Sequence, residues 1–229
     1  MQDDKQAIYW YTKAAEQGDA EAQFSLGLSY KIGEGVPKDF KQAVYWYTKA
    51  ANQGFAFAQI NLAEFYTNGK GVPQDSKQAF YWQKKAAEQG VAKAQYNLAV
   101  CYDDGYGVLE DDKQAVYWFN KAAEQGDADA QLALGICYDN GDGVLEDDKQ
   151  AVYWFNKAAE QGDADAQFLL GICFATGQGV SKDEIQAYAI LLHAKLNGAS
   201  KVNEVIEFLS LTSEQKEEGQ QLAKTLFTD

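Results

Sequence analysis

The chain of 229 residues carries 34 acidic and 20 basic side chains, so its formal net charge at pH 7 is −14. All 20 basic residues are lysines. This composition argues against a nucleic-acid-binding protein, because phosphate backbones attract basic patches and base edges are commonly read by arginine. No apolar run reaches the roughly 20 residues of a membrane-spanning helix, and no signal peptide opens the sequence. We therefore expect no membrane insertion and a cytoplasmic location, or a periplasmic or secreted one if a leader has been removed.

The sequence repeats itself every 36 residues. Six alanines recur at this spacing, and a tryptophan follows each of the first five by three residues. The alanines are Ala7, Ala43, Ala79, Ala115, Ala151 and Ala187. Such a period predicts a solenoid, in which each unit buries its apolar face against its neighbours.

We predict one domain over residues 1–229, in which a degenerate sixth repeat at 183–210 and a capping helix at 211–229 follow five regular repeats. The regular repeats are placed at 3–38, 39–74, 75–110, 111–146 and 147–182. Solenoids usually begin with a polar capping element, whereas this chain enters its first repeat almost in register. We therefore expect residues or repeats to be missing from the N-terminus.

Each repeat contains two predicted helices, and the fifth repeat serves as the example. Ala151, Trp154 and Phe155 share one face of the first helix, since they lie three and four residues apart. Gly162 is predicted to end this helix, because glycine enters the left-handed conformation without strain. Asp163 is predicted to cap the second helix.

Small residues recur in the second helix of each repeat. They allow helix axes to approach closely, and the large aromatic residues of the first helices are then expected to fill the space beside them. One set of these small residues is Gly27, Ala63, Ala99, Gly135 and Gly171.

The three cysteines, Cys101, Cys137 and Cys173, are also 36 residues apart. Equivalent positions in stacked helices are separated by at least ~8–10 Å, whereas a disulfide needs Cα atoms within about 7 Å. These thiols therefore cannot pair with one another inside one molecule. They occupy the place of Ser29 and Phe65 in earlier repeats, which favours buried packing.

The residues of Ala115–Val144 resemble the Sel1-like repeat, a relative of the tetratricopeptide repeat. They contain the full pattern A-x-x-W-Y/F-x-K-A-A-x-x-G-x-x-x-A-Q-x-x-L-G-x-x-Y-x-x-G-x-G-V, which recurs with small departures at Ala7–Val36, Ala43–Val72, Ala79–Val108 and Ala151–Val180. The resemblance implies an all-α, right-handed α-α superhelical solenoid with a concave inner face. It also implies an adaptor that binds proteins or peptides, often in bacteria. One cysteine-rich branch of the family pairs two cysteines in each repeat, and this chain departs from it.

Two short signals suggest chemistry, and both are weak. Ser213 and Lys216 match S-x-x-K, the nucleophile motif of penicillin-binding enzymes, but the companion motifs are missing. Thr212 and Gln215 explain the same stretch as a capping box that begins the last helix. The only histidine, His193, is expected to be a solvent-exposed residue on the outer side of its helix.

Five acidic residues lie close together in the sequence but do not follow the spacing of a calcium loop. They are Asp139, Asp142, Glu146, Asp147 and Asp148. Helix capping accounts for most of them, so we predict no metal site, no cofactor and no catalytic residue.

The exposed side of the first helices is the predicted partner-binding surface, which we call the tyrosine row. The resemblance places the first helices on the concave face, and tyrosine and asparagine suit recognition at low entropic cost. Alternatively, the lysines merely lay their stems over core aromatic rings, and the sequence leaves both interpretations open. The row consists of Tyr45, Thr48, Lys49, Asn52, Tyr81, Lys84, Lys85, Tyr117, Asn120, Lys121, Tyr153, Asn156 and Lys157.

Phe55 and Phe57 replace the helix-capping aspartate and the acidic residue that other repeats carry. Val91 makes a milder change at the place of Phe55 in the third repeat. A solvent-facing aromatic pair suggests a contact patch for a ligand or for self-association. The alternative is that both rings pack against adjacent helices.

These observations favour a non-catalytic protein-protein interaction scaffold that binds a peptide or protein on its concave face. A second hypothesis is an inhibitor or immunity-type protein whose acidic surface blocks a cationic effector. A β-lactam-binding enzyme is the least favoured.

Overall fold

The computed structural model of the chain describes residues 2–227, with side chains from Gln6 onward. In these residues the regular structure consists of thirteen α-helices without a strand, which confirms the predicted all-α class. The helices are α1 (Gln2–Glu16), α2 (Ala20–Ile32), α3 (Phe40–Asn52), α4 (Ala56–Asn68), α5 (Ser76–Ala87), α6 (Ala92–Asp103), α7 (Asp112–Glu124), α8 (Ala128–Asn140), α9 (Asp148–Glu160), α10 (Ala164–Thr176), α11 (Glu184–Leu196), α12 (Val202–Phe208) and α13 (Ser213–Ala223).

The helix ends follow the predicted chemistry. The Asp163 carboxylate accepts a hydrogen bond from the backbone N–H of Ala166 at 2.7 Å, which caps α10. Gly162 adopts a left-handed conformation with φ of 86° directly after the end of α9. By contrast, Phe55 and Val91 occupy the N-cap positions of α4 and α6 and provide no side-chain cap. Both helices therefore lack a bond that their counterparts have.

The chain divides into two compact units, Met1–Trp118 and Phe119–Asp229, so the boundary falls within α7. In the first unit, Tyr47, Leu62 and Phe65 belong to one buried cluster. In the second unit, Phe155 and Leu170 are at the centre of another. Within each unit, the second helix of a pair packs against the first helix of the next, as α4 does on α5 and α10 on α11. A single domain over 1–229 stays a prediction.

A glycine of one repeat meets a large side chain of the next at three described places. A Cβ added to Gly27 would lie 2.8 Å from two ring carbons of Tyr47, and one added to Gly135 would lie 2.5 Å from Cδ1 of Phe155. A Cβ added to Gly171 would lie 2.7 Å from Cγ of Leu191. These contacts confirm the predicted close approach, because the larger side chain occupies the space that a glycine leaves free.

A buried glutamine joins neighbouring repeats through paired amides. The Gln23 side chain is 4% exposed, and its Nε2 donates to the carbonyl of Ala15 in the same repeat at 3.0 Å. Its Oε1 accepts from Nε2 of Gln53 in the next repeat at 2.8 Å. The same bond joins Gln89 to Gln59, Gln161 to Gln131 and Asn197 to Gln167. Each of these buried oxygen atoms is therefore satisfied from outside its own repeat.

The C-terminal helix α13 packs against α11, where the buried Gly219 lies against the ring of Tyr188. His193 is consequently half-buried. Its Nε2 hydrogen-bonds the carbonyl of Ala223, and its ring lies edge-on to Phe227. The expectation of a solvent-exposed histidine was wrong, because the side of α11 that looks free in the repeat pattern is covered by the end of the chain.

The capping box at the start of α13 is confirmed. Gln215 N–H donates to the Thr212 hydroxyl at 3.2 Å, and Thr212 N–H donates to the Gln215 side chain at 2.9 Å. Ser213 is the first residue of this helix, so the S-x-x-K match coincides with a helix start.

Candidate functional site

The tyrosines of the row present their rings to solvent at equivalent places. In the first unit the exposed fractions of Tyr45, Tyr81 and Tyr117 are 49%, 47% and 50%, and Tyr153 of the second unit is 50% exposed. Each ring lies edge-on to the tryptophan that follows it, with centroids 4.9–5.1 Å apart. This packing holds each tyrosine in place while about half of the residue stays exposed to solvent.

Lysines of the row lie over these rings in the first unit. The Lys49 Nζ is 4.7 Å from the Tyr45 ring centroid and 5.1 Å from that of Trp46, and the Lys85 Nζ is 5.7 Å from the Tyr81 centroid. Cation–π attraction and burial of the aliphatic stem both favour this arrangement. At these two positions the lysine ammonium groups therefore lie over aromatic rings of the same helix.

In the second unit the polar members of the row bond within their own helices. Asn156 Nδ2 donates to Glu160 Oε1 at 2.7 Å, and Lys157 Nζ lies 3.6 Å from the same carboxylate group. Asn120 donates to Glu124 in the same manner, at 2.8 Å. A partner that used these amides would have to replace bonds that already exist.

Three residues of the row surround a depression in the first unit with a volume of about 320 Å³. Asn52 comes from the end of α3, whereas Tyr81 and Lys85 come from α5. Gln59 of the buried amide pair and Trp82 also line it. Row residues of the second and third repeats therefore line one concavity.

The two phenylalanines of the second repeat differ in their surroundings. Phe55 is half-buried, with its ring centroid 5.1 Å from that of Phe24, whereas Phe57 is 55% exposed. The prediction of a solvent-facing pair was thus wrong for Phe55, because the Phe24 ring of the preceding repeat covers it. Phe24 and Phe57 centroids are 6.4 Å apart, so Phe57 forms the exposed edge of a three-ring cluster.

The cysteines are free thiols, and two of them are buried as predicted. Cys137 and Cys173 are 6% and 4% exposed, whereas Cys101 is half-buried. Burial raises the pKa of both Cys101 and Cys173 to about 11. These two thiols therefore stay protonated at neutral pH and are poor nucleophiles.

The acidic cluster of the fourth and fifth repeats forms a hydrogen-bonded bridge. Gln178 Nε2 donates to Asp139 Oδ1 at 2.8 Å and to Asp148 Oδ1 at 3.0 Å. Burial and the nearby Asp148 carboxylate raise the pKa of Asp139. Across residues 2–227, no group of three or more His, Cys, Asp or Glu side chains is arranged to hold a metal ion.

Sequence reasoning missed a cavity of about 630 Å³ in the first unit, which we call the third-repeat cavity. Ala63 of α4 and Ala79 and Gln83 of α5 form part of its lining, together with Cys101 of α6 and Tyr106 in the loop that follows. The signal for it is position 83, which holds glutamine where the corresponding residues are Tyr47, Phe119 and Phe155.

Helix pairs that bury one face against the next pair define an α-α repeat solenoid. The Sel1 repeat family model matches six segments of this chain, so the chain belongs to the Sel1 repeat family, as its sequence pattern predicted. The segments are residues 1–19, 20–55, 56–91, 92–127, 128–163 and 164–195. Sel1 repeat proteins are typically non-catalytic and generally act as scaffolds for protein interactions.

Solved bacterial structures confirm the fold. A Sel1 repeat protein from Oxalobacter formigenes is 34% identical with a TM-score of 0.86, over 96% of this chain and 93% of that one. A protective antigen of uropathogenic Escherichia coli with an SLR fold is 35% identical, also with a TM-score of 0.86, over 95% of this chain. This chain spans 48% of that antigen, about half its length. A Sel1 repeat protein from Klebsiella pneumoniae is 26% identical with a TM-score of 0.52, over 89% of this chain and 99% of that one.

No curated protein matches the chain. Among the described helices, none is both long and apolar enough to cross a membrane.

Proposed function

We propose that this chain is a non-catalytic interaction scaffold that binds a protein or peptide partner through the tyrosine row. The observation that carries the proposal is the repetition of a half-exposed tyrosine ring, fixed edge-on against a tryptophan, at Tyr45, Tyr81, Tyr117 and Tyr153. Rigid aromatic rings gain contact area at little entropic cost, which is why tyrosine is common in binding surfaces. A surface that is ordered before it binds also avoids the cost of ordering on association.

In the first unit, the concavity beside Asn52, Tyr81 and Lys85 is the favoured place for a partner side chain. Phe57 supplies a second apolar contact in the same unit. Aromatic residues in a partly enclosed position are the usual hot spots of protein interfaces. We therefore place the strongest contacts of the first unit at Tyr45, Tyr81 and Phe57.

The test is affinity capture from a lysate of the source organism with the purified 229-residue chain. A double variant, Tyr45→Ser with Tyr81→Ser, is compared with the wild type, and Phe57→Glu forms a separate arm. The matched control replaces Leu109 and Leu145 by serine, since these side chains are 88% and 90% exposed and lie outside the row. Loss of a protein in the tyrosine variant but not in the control supports the proposal. A partner retained equally by all variants contradicts it.

The acidic composition favours a second candidate, an inhibitor or immunity-type protein for a cationic effector. A net charge of −14 attracts such a partner at long range, and salt screens the attraction. Affinity for a captured partner that falls steeply with ionic strength supports this candidate. Affinity that is independent of salt but sensitive to Tyr45→Ser and Tyr81→Ser supports the scaffold alone.

A further inference from the structure

The third-repeat cavity lies where neighbouring repeats place an aromatic ring. In the second repeat the Tyr47 ring lies directly over Gly27, and in the fifth repeat the Phe155 ring lies over Gly135. The corresponding pair in the third repeat is Gln83 and Ala63, and both residues line the cavity. The space that a ring fills elsewhere is therefore left open here.

Gln83 does not fill this space with its own side chain. It is 5% exposed, and its Nε2 donates to the carbonyl of Ala94 in α6 at 3.0 Å. This bond directs the amide into its own repeat, towards the start of the second helix. The cavity walls on either side remain apolar, with Ile60 from α4 and Val100 from α6.

Polar groups are also present in the lining, and one lacks a partner. The Tyr106 hydroxyl is buried without a hydrogen-bond partner in the described part of the chain. A buried hydroxyl of this kind costs free energy until it finds a partner. At the place of Tyr106 the other repeats carry Glu34, Lys70, Asp142 and Gln178. The tyrosine, like Gln83, is thus peculiar to the third repeat.

The cavity opens to solvent, because Thr67, Lys93 and Asp104 at its border are exposed. Its volume of about 630 Å³ falls within the range of pockets that bind small molecules and side chains. Apolar walls with a few polar groups suit a flat ring that carries one hydrogen-bonding group at its edge.

We propose that the third-repeat cavity binds a phenol ring, presented as a tyrosine side chain of a protein partner. The ring occupies the space beside Ala63 and Ala79, and its hydroxyl bonds with the Tyr106 hydroxyl. A phenylalanine side chain leaves the Tyr106 hydroxyl unsatisfied and binds more weakly. The assignment to a protein partner rests on the interaction function proposed above, whereas the preference for a phenol does not.

The test is an NMR titration of the ¹⁵N-labelled chain with p-cresol, and with toluene for comparison. We expect p-cresol to shift the backbone amide signals of α4 and α6 beside the cavity, and toluene to bind more weakly. Tyr106→Phe should weaken p-cresol binding by about two- to tenfold, the loss that one hydrogen bond gives, and should reduce the preference over toluene.

The decisive variant is Gln83→Phe with Ala63→Gly, which copies the Gly135–Phe155 contact. A ring at position 83 should abolish p-cresol binding, while circular dichroism and cooperative unfolding report that the fold is kept. Gln83→Ala, which keeps the cavity open, is the control and should still bind. Undiminished binding in the filled variant, or shifts confined to the tyrosine row, would overturn the proposal.

A blocked peptide, acetyl-Ala-Tyr-Ala-amide, then tests the source of the phenol. Its binding at the cavity, lost in the filled variant, supports a tyrosine from a protein. Binding of p-cresol without any binding of the peptide contradicts the assignment to a protein partner. Because neither probe requires the natural partner or the tyrosine row, failure here is distinguishable from failure of the scaffold proposal.

Discussion

Two pairs of residues lie at equivalent positions of different repeats, Gly135 with Phe155 and Ala63 with Gln83. The first pair is tightly packed, whereas the second lines a cavity. At the first, a ring that is 1% exposed fills the space above a glycine. At the second, a glutamine bonds away towards α6 and leaves a cavity of about 630 Å³. The helices that carry both positions run for twelve or thirteen residues and pair in the same way. A repeat protein can therefore gain a cavity by changing two side chains without changing its helices.

We expect the two positions to differ most in the stability that is lost when the side chain is replaced by alanine. Phe155→Ala is expected to lower the free energy of unfolding by about 3–5 kcal/mol, because it empties a buried space. Gln83→Ala should lower it by only about 1 kcal/mol, since it loses one hydrogen bond beside a space that is already open. Urea denaturation followed by circular dichroism measures both. Equal losses would mean that the two places are packed alike.

The next largest loss of stability should come from adding a methyl group to the glycine. In Gly135→Ala the new Cβ meets the Phe155 ring at 2.5 Å, so we expect a loss of about 1–3 kcal/mol despite the better helix propensity of alanine. Ala63→Gly, the reverse change in the third repeat, should cost only about 0.5–1 kcal/mol through backbone entropy.

A double-mutant cycle sharpens this comparison. Gly135→Ala combined with Phe155→Gln reproduces the third-repeat pair, and it should cost less than the sum of the two single changes, because the clash disappears with the ring. Additive losses in urea denaturation would show that the steric contact is not the cause.

The second helices of the third and fourth repeats also begin differently, which predicts a smaller effect. Asp127 caps α8 by accepting from Ala130 N–H at 3.0 Å, whereas Val91, at the N-cap of α6, provides no side-chain cap. Val91→Asp should stabilise the fold by about 1 kcal/mol, and Asp127→Ala should destabilise it by a similar amount. The backbone at Val91, with φ −71° and ψ 115°, already matches that at Asp127, with φ −67° and ψ 114°. A loss of stability in Val91→Asp would indicate that the packing of the valine outweighs the cap.

The last prediction is about the rates at which two cysteine thiols are modified, and it involves no change in the stability of the fold. Cys101 and Cys173 both have a pKa raised to about 11 by burial, so at pH 8 their thiolate fractions are on the order of 10² below that of a free cysteine. Cys101 lines the open cavity and Cys173 is 4% exposed. A neutral disulfide reagent should therefore modify Cys101 first, and both rates should rise as the pH approaches 11. Mass spectrometry of peptides from a time course would show the order, and faster modification of Cys173 would contradict it.

Much of the fold follows from residues that repeat. Ala151, Trp154 and Phe155 predict the buried face of a helix because their spacing is local, and Asp163 predicts a cap for the same reason. The placement of His193 could not be predicted, because it depends on where α13 folds back, a contact across 30 residues. The half-burial of Phe55 depends in the same way on Phe24 of another repeat.

The candidate site was predictable to a smaller extent. The exposure of Tyr45 and its equivalents could be predicted, because these residues lie on the side of the helix opposite the core. The positions of the lysines over the rings could not, because they depend on side-chain rotamers. The third-repeat cavity had a visible signal in Gln83, but a glutamine among aromatic residues predicts a loss of packing without saying whether the neighbours close the gap.

The paired amides restrict how such an array can change its length. The buried oxygen of Gln131 is satisfied by Gln161, and that of Gln167 by Asn197, so in both bonds the donor comes from 30 residues further along the chain. Insertion or removal of a whole 36-residue unit keeps a donor opposite each of these acceptors, whereas a change that shifts one helix pair against the next leaves a buried amide oxygen unsatisfied. Residues 109–131 and 145–167 are identical and lie one 36-residue period apart, the pattern that duplication of a repeat leaves behind. The paired amides therefore favour changes of the array by whole repeats over changes that shift one repeat against the next.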